Sequence, residues 1–359
     1  MKIIEINKLY YPWIGGVETH VQTIAENISP LDRIEVICCN DTSITKTESI
    51  NGVTVRKFGA LCQLFSLPLS PRFVLHFFKL NADVLHLHLP NPLAVMAYWL
   101  ARPTGRVVVT WHSDIIKQRF ILFFYKPFLT WFLKRTSAII ATSPNMVQHS
   151  PFLRNHAHKT HVIPLGIDPK RYPTKTTVHH QRYALFVGRL IYYKGVIHLV
   201  EALNKCNVRL IMIGEGTLQH PIEQTAGSLI ESGQLTIKPF QDKDALNHYF
   251  NDCEFFVLPS THASEAFGIV QLEAMIYSKP VISTQLPTGV PYVNQHNHTG
   301  IVVPPGDTNA LASAMQLLWD SPTLRSTYGT NASNRCRALF TEEKMIQRTK
   351  EVLFVGDSI

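Results

Sequence analysis

No apolar run in this 359-residue chain reaches the roughly 18–20 residues that a membrane-crossing helix needs. The opening residues, MKIIEINKLYYPW, enter a strand-like pattern at once and lack the apolar core of a secretory signal, which points to the cytoplasm. Six cysteines (Cys38, Cys39, Cys62, Cys206, Cys253, Cys336) show neither C-x-x-C spacing nor pairing. That argues against a disulfide framework or a zinc site and for scattered, reduced, mostly buried thiols. No cluster of His, Cys, Asp or Glu has metal-ligand spacing, so no metal site is expected. The G-x-G-x-x-G dinucleotide fingerprint and the G-x-x-x-x-G-K-[ST] phosphate loop are missing too, as are solenoid-period repeats and low-complexity tracts.

Acidic residues are scarce in one half only. Residues 1–165 hold 17 Lys+Arg against 9 Asp+Glu, whereas residues 166–359 hold 17 of each, so the net charge of +8 lies wholly in the first half. Such asymmetry suggests an anionic partner for that half, a nucleic acid or a membrane surface. The basic residues form no stripe, and no helix-turn-helix or RNA-binding signature accompanies them, so a nucleic acid is not expected.

Two domains are the default for this length. In the first half, KIIEI, IEVICC, VTVRKF, DVLHLHL, RVVVTW and SAIIATS read as buried strands, with helical stretches such as GVETHVQTIAENI between them. Strand–helix alternation implies a parallel sheet covered on both faces. Residues 161–182 break the rhythm with three prolines and read as a linker. The alternation then resumes: YALFVGR, VRLIMIG, EFFVLPS and PVIST are strands, and KGVIHLVEALNK, ALNHYFNDC and GIVQLEAMIYS are helices. The expected architecture is α/β: an N-terminal domain over 1–165, a C-terminal domain over 166–340, and a last helix over about 341–359 that packs back on the first domain. Ligands of such sheets sit outside the carboxyl ends of the strands, here in a cleft between the two sheet edges.

Three stretches carry chemistry. YYPWIGGVETHV follows the first strand and opens a helix, where Gly15 and Gly16 allow close approach of a ligand to free amides. In VGRLIYYKGV, Arg189 follows a strand and Lys194 starts a helix, one able to bind a diphosphate by forked hydrogen bonds and the other as a point charge. In HASEAFGIVQLEAM, a helix beginning near Gly268 would present the amides of Ala266, Phe267, Gly268 and Ile269 at its positive end. Glu265 before that helix and Glu273 inside it can each accept hydrogen bonds from vicinal hydroxyls, so they can hold two sugars of one ligand.

The Gly-Gly loop, VGRL…KG, and Glu265 followed by Glu273 together resemble the retaining glycosyltransferases of family 4, over almost the whole chain and most specifically over 183–275. The resemblance implies the GT-B fold, two Rossmann-like domains with parallel sheets facing a central cleft. It implies that Arg189 and Lys194 bind the diphosphate of a nucleotide-sugar donor, Glu265 the transferred sugar and Glu273 the ribose, with Gly15, Gly16 and the amides of Phe267 to Ile269 near the phosphates. It also implies metal-independent transfer with retention and no cofactor. We expect front-side attack, the leaving phosphate taking the acceptor's proton, with the two cations and a helix terminus stabilising the departing diphosphate. His112, in VVVTWHSDIIKQ, stands at a strand end as general acid/base, as a hydrogen-bond donor to the sugar, or as a satisfied core group. Its match to the family's strand-end His-Ser-Asp favours a donor-sugar role. Asp114 is expected to cap the next helix.

Where many family members have a Gly-Gly turn and a glutamate after the strand PVIST, this chain reads LPTGVPYVNQHNHTGIVVPPGD. With TWHSDIIKQ and PLGIDPKRY, that stretch resembles the bacterial surface-polysaccharide branch of mannosyl- and rhamnosyltransferases. Mannose from GDP-mannose is the donor this favours, although no spacing separates GDP from UDP or ADP. The expected acceptor is a lipid-linked, O-antigen-like glycan. FILFFYKPFLTWFLKR, 120–135, is apolar on nearly every side and split by Pro127, and it reads either as core or as a patch where aromatics and cations meet lipid headgroups. Peripheral association with the inner face of the cell membrane follows from the second reading. Competing functions are a UDP-sugar-dependent transferase of the same family, a sugar-nucleotide epimerase or phosphorylase on the same architecture, and an inactive glycan-binding scaffold.

Overall fold

The computed structural model describes residues 1–13, 15–28, 33–64, 67–115, 119–173 and 181–354, with the side chains of 64 and 119–122 excepted. Ile14 of the Gly-Gly stretch, residues 116–118 of TWHSDIIKQ, residues 174–180 of the expected linker and residues 355–359 at the C-terminus lie outside the described residues. The chain forms two compact units, Met1–Pro164 with Met345–Ile359, and Leu165–Lys344.

The first unit is built on β1 (Lys2–Ile6), β2 (Arg33–Cys39), β3 (Lys46–Ile50), β4 (Val53–Phe58), β7 (Asn81–Leu89), β8 (Thr104–Trp111), β9 (Ala138–Ala141) and β10 (Thr160–Val162), with β5 (Cys62–Leu64) and β6 (Leu67–Leu69) as a separate hairpin. The large sheet runs β10-β9-β8-β7-β1-β2-β4-β3 and is parallel except for β3 against β4. That antiparallel edge strand, KTESI, carries Lys46 and Glu48 and no continuous apolar face, a sequence suited to an unpaired edge. The chain leaves β1 in one direction for β2 and in the other for β7, so the strand order reverses beside β1. The loop after β1 leads into helix Gly16–Asn27.

In the second unit β11 (Ala184–Val187), β12 (Leu210–Ile213), β13 (Leu235–Lys238), β14 (Phe255–Leu258), β15 (Val281–Thr284) and β16 (Gly300–Val303) form a parallel sheet of order β13-β12-β11-β14-β15-β16. Alternation along each strand feeds two cores: Ala184, Phe186, Phe255 and Val257 join one, Leu185, Phe256 and Leu258 the other. The order reverses between β11 and β14, and such a reversal opens a crevice at the carboxyl ends of the strands. Arg189 and Lys194 follow β11, and Glu265 follows β14. Gly195 draws the two loops together: its φ is +69°, and a Cβ there would lie 1.9 Å from the Pro259 carbonyl oxygen.

The aromatic segment departs from expectation. Pro127 lies inside one continuous helix, Arg119–Arg135. The carbonyl that a proline leaves without a donor belongs to the residue four positions earlier, Phe123, which is exposed, so solvent can take its place. Nor is the helix uniformly apolar in its surroundings. Tyr125, Leu129, Phe132 and Leu133 are buried at helical spacing, while Phe123 and Phe124 are 74% and 60% exposed. Among the described residues no helix is long and apolar enough to cross a membrane.

Candidate functional site

In the second unit, Lys194 closes the short turn Tyr192–Lys194, and its Nζ lies 2.6 Å from Oε2 of Glu265. Both side chains are largely buried, at 12% and 10% exposed, so the pair is sheltered rather than a solvated surface bridge. Ser260 Oγ donates to the same carboxylate oxygen at 3.0 Å. Arg189 is exposed, and its Nη2 donates to the Tyr193 hydroxyl at 3.1 Å.

The turn after Glu265 is shaped to keep amides free. Gly268 has φ +71°, and the helix begins at Val270, two residues later than expected from the sequence. Among the described residues the amides of Ala266, Phe267, Gly268 and Ile269 donate to no backbone or side-chain acceptor. The unusual TGVPYVN stretch buttresses this turn, since the Gly289 amide donates to the Ala266 carbonyl at 2.8 Å. A Cβ on Gly289 would lie 2.7 Å from the Phe267 ring.

Glu273 is held differently. Its carboxylate accepts from the Tyr172 hydroxyl at 3.0 Å. Burial pushes its pKa above the ordinary carboxylate range, against the opposing pull of that hydrogen bond and of Lys243. The two glutamates share no partner: one is neutralised by a lysine, the other is a desolvated acid with a single donor.

In the first unit, Gly15 caps helix Gly16–Asn27 from an extended conformation, φ −158°. Gly16 has open space where a Cβ would be, but a Cβ on Gly15 would meet the Glu18 carboxylate at 2.3 Å. An acid therefore already faces this helix start. The segment between Asp114 and helix Arg119–Arg135, where the expected cap would act, lies partly outside the described residues. Asp114 Oδ1 accepts from Trp111 Nε1 at 3.0 Å and Ser150 Oγ at 2.7 Å.

His112 belongs to a buried network that the sequence reading missed. Register places Glu5 of β1 opposite His86 of β7, and the two-residue period puts His86 and His88 on one face. His86 Nδ1 lies 3.0 Å from Glu5 Oε1, and His88 Nε2 lies 2.7 Å from Glu5 Oε2. His88 Nδ1 lies 3.0 Å from His112 Nε2, and His86 Nε2 meets Thr110 Oγ1 at 2.8 Å. His20, from helix Gly16–Asn27, closes the cluster with its ring centroid 5.1 Å from that of His112. Both His20 nitrogens are buried without a partner among the described residues. Two overlapping trios, His20/His88/His112 and Glu5/His86/His88, bring ligand atoms within 4.8 Å of one another and could hold a cation. Both His88 nitrogens are already spent on hydrogen bonds, however, so an ion in the first trio would have to break the bond to His112. The sequence held two signals: a glutamate inside the buried strand KIIEI, and H-x-H inside DVLHLHL.

The profile described as "Glycosyltransferase Family 4" matches residues 14–171, and "Glycosyl transferases group 1" matches residues 171–335. The chain is 31% identical to O-antigen chain mannosyltransferase C of Escherichia coli, over 96% of both proteins. It is 33% identical to the D-rhamnosyltransferase WbpZ of Pseudomonas aeruginosa, over 95% of this chain and 92% of that one. Among solved structures it resembles sucrose-phosphate synthase of Thermosynechococcus elongatus (TM-score 0.79, 20% identity, 98% of each chain). It also resembles Anabaena HepE solved with UDP-glucose (TM-score 0.79, 21% identity, 98% and 99% covered). These likenesses establish the GT-B fold.

The histidine network sets a pH dependence. Burial lowers His20 from 6.5 to about 3 and His88 to about 4, and it lowers His112 as well. Below pH 6.5 the unfolded chain takes up protons that the folded chain refuses, so stability falls as pH drops from 6.5 toward 4. Burial pushes Glu5 up, but His86 and His88 outweigh it and hold the carboxyl at about 2, below its ordinary 4.5. Its contribution is therefore complete above 4.5 and lost as pH falls toward 2. Glu273, raised by burial, runs the opposite way. The thermal midpoint should decline between pH 6.5 and 4, and His20→Leu should flatten that decline and raise the midpoint at pH 5. Parallel wild-type and variant profiles would show that His20 is not buried neutral.

Proposed function

Since the chain belongs to glycosyltransferase family 4, we propose that it transfers mannose with retention from GDP-mannose to a lipid-linked glycan of O-antigen-like surface polysaccharide, without a metal ion. The observation that carries the reading is end-to-end similarity, above 30% identity, to two enzymes named for mannosyl and rhamnosyl transfer, one of them to an O-antigen chain. The second unit supports it. The free amides of Ala266 to Ile269, with Arg189 and Lys194, offer donors and positive charge suited to a leaving diphosphate. In this reading Glu265 meets the sugar and Glu273 the ribose. The donor's diphosphate would take over part of Lys194 from Glu265, leaving that carboxylate to accept from sugar hydroxyls. His112 contacts the transferred sugar.

Turnover of GDP-, UDP- and ADP-sugars in excess EDTA tests donor and metal together. GDP-mannose should be consumed at an undiminished rate. The matching nucleotide at 100 times its Kd should stabilise the protein by roughly 2.7 kcal/mol. Preference for a UDP-sugar would reassign the donor, and loss of activity on chelation restored by Mg²⁺ would remove metal independence.

The two glutamates should separate kinetically. Glu265→Ala is expected to abolish transfer, because it loses a group acting where charge develops and leaves Lys194 unpaired. Glu273→Ala should chiefly raise the donor KM. Lys194→Ala and Arg189→Ala should each lose roughly 10²-fold or more in kcat. A Glu265→Ala enzyme with unchanged kcat would sink the assignment.

The first unit supports a place at the inner surface of the cell membrane. Phe123, Phe124, Lys126, Pro127, Thr130, Trp131 and Lys134 line one open groove. On the neighbouring helix Pro92–Ala101, Trp99 and Leu100 are 36% and 50% exposed, and Arg102 and Arg135 lie over the Trp131 ring. Apolar rings among cations suit an anionic lipid surface, where each Lys or Arg adds about 1 kcal/mol. Binding to anionic but not neutral liposomes is expected, with release at 1 M salt, where the Debye length is about 3 Å. A Phe123→Ser/Phe124→Ser double variant should bind less. Equal binding to both lipids, or to neither, would refute a membrane role.

A further inference from the structure

The hydrogen bonds around His112 fix more than its place. An ionised carboxylate only accepts hydrogen bonds, so the 2.7 Å contact between His88 Nε2 and Glu5 Oε2 puts the His88 proton on Nε2. A neutral imidazole carries one N–H, which leaves His88 Nδ1 as an acceptor. The 3.0 Å contact from that atom to His112 Nε2 then has one possible donor, His112 itself. Its other nitrogen, Nδ1, has no hydrogen-bond partner among the described residues and keeps its lone pair.

We propose that Glu5 and His88 are positioning residues that hold His112 as the Nε2–H tautomer, so that His112 Nδ1 accepts a hydroxyl hydrogen of the transferred sugar. The inference rests on the reading above that His112 meets the sugar. It narrows the three roles open to this histidine: a neutral ring with its proton turned inward is neither a hydrogen-bond donor to the sugar nor an acid toward the leaving phosphate.

The surroundings favour the neutral state. Among the described residues the titratable groups facing the His112 ring are imidazoles: His20 and His88 touch it, and His86 stands behind His88, with Glu5 bonded to both His86 and His88. Burial lowers His88 to about 4 and His20 to about 3, while Glu5 stays ionised. The single negative charge of the cluster thus lies at the far end of the chain from the sugar. The logic is that of an acid–histidine pair in which the acid sets the tautomer of the ring, lengthened here by one imidazole.

The test is nitrogen-15 spectroscopy of imidazole side chains in the full-length protein, with His112 assigned by the signals that His112→Gln removes. Wild type should show His112 with a protonated Nε2 and an unprotonated Nδ1. His88→Leu removes the acceptor; it should leave His112 in mixed tautomers and lower kcat/KM for the donor by at least ~10-fold. That is less than the ~10⁴-fold cost seen where the imidazole itself moves the proton. His88→Gln, whose carbonyl can accept from His112 while its amide donates to Glu5, should restore both the single tautomer and most of the rate. A His112 protonated on Nδ1 in wild type would overturn the proposal, even if His88→Leu fails to fold. So would His88→Leu with tautomer and kcat/KM unchanged, or one equivalent of tightly held metal per chain, which would make the trio a ligand set. If His112→Gln keeps full donor turnover, the sugar-contact reading falls while the tautomer result stands by itself.

Discussion

A parallel strand covered on both faces leaves little room for polar chemistry along its length, and this constraint organises both units. In the second unit β11 and β14 are walled by two apolar cores, so Arg189, Lys194 and Glu265 stand in the loops that leave their carboxyl ends. The reversal of strand order between β11 and β14 sends the flanking helices apart and keeps those loops uncovered. Gly195 and Pro259 lock the two loops against each other, which lets a lysine from one meet a glutamate from the other at 2.6 Å. The sheet decides where the chemistry stands, and one glycine decides how closely its parts approach.

The two glutamates show how different environments divide labour between identical side chains. Glu265 keeps a compensating cation and a hydroxyl donor. Glu273 has only Tyr172, and burial drives it toward protonation. On the proposed reading, a pair of ribose hydroxyls would supply the hydrogen bonds it lacks and offset part of that burial. On the same reading Lys194 and Glu265 would each exchange one partner for another.

Much of this was legible in the sequence, and the limits have physical reasons. The strands β1, β2, β4, β7, β8 and β9 announced themselves by β-branched runs, as did β11, β12, β14 and β15. The strands β3, β5, β6, β10, β13 and β16 were not read from the sequence: β3 is polar, and β5, β6 and β10 are three residues each. The motif glutamates and cations stood out because their spacing is local. The helix after Glu265 starts at Val270 because the left-handed turn at Gly268 must come first, and a glycine in a sequence does not declare its φ. Pro127 read as a break because proline removes a donor; the helix survives because the orphaned carbonyl falls on the exposed Phe123 side. The Glu5–His86–His88–His112 cluster was beyond local reading, since it joins two strands and the residue that follows a third, across more than a hundred positions.

That cluster is also where the constraint on parallel strands is broken, and the break is informative. Glu5 is fully buried in a central strand, where a valine or isoleucine would pack without any desolvation cost. His86 and His88 offset that cost by direct hydrogen bonds, which holds the carboxyl near 2. Stability alone gives no reason to install an ion and then the imidazoles needed to tolerate it. Burying His20, with two unsatisfied nitrogens beside the same rings, adds a further cost without a compensating bond. The network ends at His112, a strand-end residue on the edge where ligands of this fold bind. A buried charge that terminates in an ordered imidazole is what a site needs when the hydrogen-bonding sense of one nitrogen must not depend on solvent. With the proposed tautomer, the stability given up inside the sheet would be recovered as a fixed lone pair at its edge.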